Sequence, residues 1–174
     1  MTHVKQIIST TVLGIVLLTA ASCKQDPKKT ETHAAESATA TVQASPEFKD
    51  ATVAETFTQY LQLKDALVQT DAAAAKKAAE GLASTTANDS IKSLATAIAA
   101  ANDIAQQREQ FSALTTTLKP VLVANLSAGE VYEQHCPMAL NGGANWFAVE
   151  QQINNPYYGD KMLRCGLVQE TLKL

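Results

Sequence analysis

The chain has 174 residues, a formal net charge of −3 at pH 7 and 46% hydrophobic residues, enough for one domain with a real core. Its basic residues are scattered, with no basic patch interleaved with aromatics, which argues against a nucleic-acid partner.

The first residues point to a compartment. Lys5 precedes an apolar run from Val12 to Leu18 and then small residues, the layout of a secretory signal peptide over residues 1–22. The run is shorter than the about 20 apolar residues that a membrane span needs. The segment Leu18-Thr19-Ala20-Ala21-Ser22-Cys23 resembles a bacterial lipobox, with Ala20 where Leu is usual. That resemblance implies lipidation of Cys23 as the mature N-terminus. It places the protein in a Gram-negative envelope, anchored to the membrane by lipid and facing the periplasm, with the outer membrane as the expected location. Acyl chains at roughly 0.8 kcal/mol per buried methylene make such an anchor lasting. Removing residues 1–22 takes away Lys5 and no acidic residue, so the formal charge goes from −3 to −4. Residues 23–46 are rich in Lys, Thr, Ala, Ser and Glu and read as a flexible stalk in which His33 is solvated.

Residues 47–174 form the expected domain: mainly α, an antiparallel bundle of about four helices with a small irregular C-terminal cap containing short strands. Val53, Phe57, Tyr60, Leu61, Leu67 and Val68 lie on one helical stripe. Asp71 is a candidate N-cap for a second helix through Glu80, stopped near Gly81. Asn88 or Asp89 caps a third, with Ile91, Leu94, Ala95 and Ile98 inward. Asp103 caps a fourth, with Ile104, Phe111, Leu114 and Leu118 as its buried stripe. Pro120 should kink or end that helix, because it lacks a backbone donor. Short connections favour antiparallel neighbours.

After Leu126 the pattern changes. Val131–His135 and Gly166–Leu172 can pair as strands, and Asn141-Gly142-Gly143 and Asn155-Pro156 are turn signals. Trp146, Phe147, Tyr157 and Tyr158 are expected as core of the cap. The sulfur falls into two clusters, Cys136-Pro137-Met138 and Met162-Leu163-Arg164-Cys165. Thiolate and thioether select Cu(I), Ag(I) and similar ions, so Cys136, Met138, Met162 and Cys165 form a candidate soft-metal site. An equally open reading is a Cys136–Cys165 disulfide with methionines packed around it. Structural zinc usually takes four Cys or His ligands, a set these clusters do not supply. No enzyme is expected. His135 and Cys136 alternate across a strand, no phosphate loop or nucleophile elbow is present, and Glu55, Asp65, Asp71, Glu80 and Glu109 are spaced like solvated helix faces.

The run Tyr132-Glu133-Gln134-His135-Cys136-Pro137-Met138-Ala139, then Gly143-Ala144-Asn145-Trp146, then Ile153-Asn154-Asn155-Pro156-Tyr157-Tyr158-Gly159-Asp160-Lys161-Met162-Leu163-Arg164-Cys165-Gly166 resembles an uncharacterised helical domain-of-unknown-function family. Its members occur as bacterial lipoproteins and at the C-terminus of copper/silver efflux adaptor subunits. Tyr60, Leu61, Lys64, Asp65, Ala66, Leu67, Gln107, Arg108 and Phe111 extend the resemblance over residues 50–174. Cys136, Met138, Met162 and Cys165 match the motif. His135 lies outside it and is an optional ligand, and Asn145, Phe147 and Ala148 depart from the commonest residues. The resemblance implies a small non-catalytic envelope domain associated with heavy-metal handling; the ligand chemistry of the two clusters adds the expectation that it binds Cu(I) or Ag(I) for buffering or delivery to efflux. The alternative is a disulfide-stabilised, metal-free module that docks on a periplasmic efflux adaptor or another envelope protein.

Overall fold

Each of four helices begins where a short polar side chain takes over backbone donors that the first turn leaves free. In a computed structural model that describes residues 45–174, α1 spans Ala51–Val68, α2 Ala72–Thr85, α3 Asp89–Ala100 and α4 Ile104–Asn125. Asp50 accepts from the Thr52 N–H at 2.7 Å, and Asp71 from those of Ala73 and Ala74 at 3.0 and 2.9 Å. Asn88 accepts from Ser90 and Ile91, both at 3.0 Å, and Asp103 from Gln106 at 2.9 Å. Helices consecutive in the chain pack side by side, and α1 also meets α4. The expected signal peptide (1–22), Cys23 and nearly all of the stalk lie outside the described residues.

Two expectations for the helices are corrected. α2 does not stop at Gly81 but runs to Thr85. A Cβ at Gly81 would lie 2.5 Å from Gln59 Oε1, so the glycine serves close approach of α1 rather than a helix stop, and buried Leu82 continues the inward stripe. α4 does not end at Pro120 but continues to Asn125. Pro120 sits on the exposed side between Leu118 and Leu122, both wholly buried, and their packing offsets the about 3 kcal/mol that an interior proline costs.

Phe57, Tyr60 and Leu67 of α1 are buried as expected; Val53, Leu61 and Val68 are only partly so, and Leu63 and Lys64 join the core instead. Ring contacts run without a break from Phe48 to Phe57 (5.4 Å), Tyr60 (6.1 Å), Phe111 (5.1 Å), Tyr157 (5.9 Å) and Trp146 (6.1 Å). This aromatic file carries one core from the helices into the cap.

The chain meets the bundle through β1 (Glu47–Phe48), which pairs antiparallel with β2 (Leu126–Ala128) at the end of α4. The cap is a three-stranded antiparallel sheet, ordered β4 (Ala144–Ala148), β3 (Val131–Cys136), β5 (Leu167–Leu172). β3 and β5 are the expected pair. The strand through Trp146 is not foreseen by alternation, because four of its five residues, on both faces, are buried.

Candidate functional site

Strand alternation sorts the cap's chemistry onto two faces. Gln134 pairs with Trp146 and Cys136 with Ala144, on one face; His135 pairs with Asn145, on the other, where Glu133 also lies. Cys165 arrives from a loop. After a single 3₁₀ turn (Gly159–Met162) the Cys165 N–H donates to Met162 O at 3.0 Å, and Gly166, at φ +144°, turns the chain into β5.

Asn155 holds this loop in place. It is wholly buried; its N–H donates to Leu163 O at 2.9 Å and its Nδ2 to Cys165 O at 2.8 Å, while its Oδ1 accepts from the Tyr157 N–H at 2.8 Å. Tyr157 Oη in turn donates to Asn145 O at 2.6 Å. Asn155-Pro156 reads in sequence only as a turn; its anchoring role depends on partners up to 10 positions away.

The loop and β3 bring two sequence-distant sulfurs together. Cys136 Sγ and Cys165 Sγ lie 3.1 Å apart as free thiols, one donating to the other, across a separation of 29 positions. Cys136 is wholly buried and Cys165 half-buried. The bond to Cys136, with partial desolvation and the adjacent sulfur's charge, raises the Cys165 thiol above its ordinary value. Met138 is 56% exposed and Met162 half-buried, each on the segment that carries a thiol, and Tyr158 Oη donates to Met138 O at 2.6 Å.

His135 is not brought to the thiols. Its Nδ1 shares a hydrogen bond with Asn145 Oδ1, and Asn145 Nδ2 donates to Glu133 at 2.7 Å. Glu133, 4% exposed, accepts from Lys119 Nζ at 2.6 Å, and Lys119 also reaches Glu170 at 2.7 Å. This polar chain ties α4 to the sheet and needs no ligand to be satisfied.

The donor set therefore consists of two thiols with a thioether on each flanking segment. Among the described residues no group of three or more His, Cys, Asp or Glu side chains is placed to share an ion. Two converging thiols, with a thioether two or three positions along each segment, are the donor types that Cu(I) or Ag(I) takes in sets of two or three. Bound as thiolates, they would release protons on uptake.

Residues 56–128 match a family described as "Protein of unknown function (DUF3347)". The matched segment covers α1 from Thr56 onward and all of α2, α3 and α4, and ends before the cap, so the cysteine motif lies outside it. No curated protein and no solved structure matches the chain.

Proposed function

We propose that this chain is a non-catalytic envelope lipoprotein that holds a soft monovalent ion, Cu(I) or Ag(I), at the Cys136–Cys165 pair and buffers it or passes it to efflux. One observation carries the reading: cysteines 29 positions apart in sequence bring their sulfurs to within 3.1 Å. Thiolate–metal bonds of about 2.3 Å, as for zinc, would bring the sulfurs to at most about 4.6 Å across one ion, so uptake asks for a modest opening of the pair. The membrane tether rests on the apolar run that ends in Ala20-Ala21-Ser22-Cys23. Palmitate labelling that persists in Cys23→Ser would remove it.

The metal reading is tested by competition with a Cu(I) chelator on reduced full-length chain carrying Cys23→Ser. Copper should move to the protein, stay on the chelator with Cys136→Ser or Cys165→Ser, and transfer less completely when Met138 and Met162 are both Leu. Wild-type cysteines that leave all copper on the chelator sink the reading.

A second reading has its own support. Free sulfurs at 3.1 Å need to close by only about 1 Å to bond. A crosslink over that separation restricts the unfolded chain by roughly 3–4 kcal/mol in the entropy model. On this reading the protein is a disulfide-stapled module that docks on an envelope partner such as an efflux adaptor. It requires that the oxidised protein melt well above the reduced one.

A further inference from the structure

Cys136 and Cys165 are the same residue type in unlike settings. Cys136 closes β3 and is wholly buried, so a reagent from solvent meets its sulfur only if the cap opens. Cys165 is half-buried, on the loop side, with exposed Arg164 and exposed Leu167 two residues to either side or nearer. The pair thus joins one cysteine closed to solvent and one partly open to it, with sulfurs 3.1 Å apart.

We propose that this pair is a thiol–disulfide exchange site whose substrate is a small-molecule disulfide, with Cys165 as the attacking thiol and Cys136 as the resolving thiol. The inference rests on the disulfide reading above. Partial burial of Cys165 selects a slender partner over a bulky one. Once its hydrogen bond to Cys136, which holds the thiol protonated, opens, Cys165 gives its proton to solvent and attacks one sulfur of R–S–S–R; that S–S bond breaks, and the departing R–S⁻ takes up a proton. Cys136 then loses its proton and attacks Cys165 Sγ from the buried side, expelling the second R–S⁻ outward, where it is protonated. The two protein thiols are oxidised to one disulfide, and R–S–S–R is reduced to two R–SH.

Gly166 keeps the geometry tight. A Cβ there would lie 2.9 Å from both His135 O and Trp146 Cη2, so the residue after Cys165 is pressed against β3 and the ring beside it. Trp146 is wholly buried in that contact, and its fluorescence offers a readout of closure.

The test uses reduced full-length chain carrying Cys23→Ser, with oxidised glutathione as the probe. The folded Cys136→Ser variant should become glutathionylated on Cys165. Cys165→Ser should react at least about tenfold more slowly, because its thiol waits for local opening, and should catch up in urea. The two-cysteine protein should pass through a mixed disulfide on Cys165 to the internal bond. Should a variant fail to fold, a brief iodoacetamide pulse on the two-cysteine protein, mapped by peptide mass, gives the same order: Cys165 labelled first. Equal labelling, or a mixed disulfide mapped to Cys136, overturns the proposal. A protein that stops at the Cys165 mixed disulfide overturns the resolving role of Cys136 and the staple reading together, leaving reactivity at Cys165 established.

Discussion

Lys64 of α1, with a side chain only 3% exposed, donates to Glu150 at 2.9 Å across the join between helices and cap. The same ammonium lies 3.0 Å from Asp65, which is 59% exposed. The buried charge is thus compensated chiefly through Glu150, 86 positions away. Glu150→Gln should lower stability by about 1–3 kcal/mol, because it leaves a desolvated ammonium with one solvent-screened partner. Lys64→Met should cost less, since Glu150 is 32% exposed and can rehydrate. Urea midpoints of the two variants and their double mutant check the order; a larger loss in Lys64→Met would reverse the argument.

Tyr60 links three elements: its hydroxyl lies 2.8 Å from Thr115 Oγ1 and accepts the Phe147 N–H at 3.1 Å. Burial raises Tyr60 well above its ordinary value of 10.0, and burial raises Tyr157 as well. A raised folded-state value means that stability is whole below the ordinary tyrosine value and declines as pH climbs past it toward the folded one. The urea midpoint should therefore fall above about pH 10. Tyr60→Phe should cost about 1–2 kcal/mol at pH 7, by orphaning the Phe147 N–H, and should shallow the alkaline decline. An unchanged alkaline slope in the variant would show that Tyr60 does not drive it.

Lys119 separates two carboxylates of unlike worth. Glu133 is 4% exposed and Glu170 49%. Lys119→Met should cost about 2–4 kcal/mol by stranding Glu133, whereas Glu170→Gln should stay within about 1 kcal/mol because solvent screens it. Its bond to Lys119 holds Glu170 below its ordinary 4.5, and the bonds to Glu133 and then Glu170 hold Lys119 above its ordinary 10.5. The lowered carboxylate contributes above its ordinary value and fades as pH falls through the folded one; the raised lysine contributes up to its ordinary value and fades beyond it. The cost of Lys119→Met should be flat between these limits and smaller outside them in thermal melts.

Gly166 has φ +144°, and an added Cβ would meet His135 O and Trp146 Cη2, each at 2.9 Å. Gly166→Ala should destabilise the protein by about 2 kcal/mol or more, through backbone strain plus displacement of a buried ring. Gly142→Ala, at φ +152° with nothing near its Cβ, should cost clearly less. Comparable melting points for the two would refute the packing part of the argument.

The bundle was legible because its signals are local. Asp71, Asn88 and Asp103 lie directly before the helices they cap, and Phe111, Leu114 and Leu118 recur at the helical period. Gly81 does not stop α2, and Pro120 does not end α4; at both, local preference gave way to packing, since Gly81 admits Gln59 and Pro120 is carried by Leu118 and Leu122. β4 was hidden because burial on both faces erases the period of two.

The residue types alone established which soft donors the cap carries, two thiols and two thioethers, in a chain whose helices are written in caps and stripes. Which cysteine is closed to solvent, that His135 stands apart with Asn145, and that Asn155 secures the loop were decided by the tertiary structure. Those facts arise from strand register and from hydrogen bonds between segments far apart in the chain. No local propensity encodes a distance between residues 136 and 165; only the closing of β3 against a loop pinned by buried Asn155 and Tyr157 brings it to 3.1 Å.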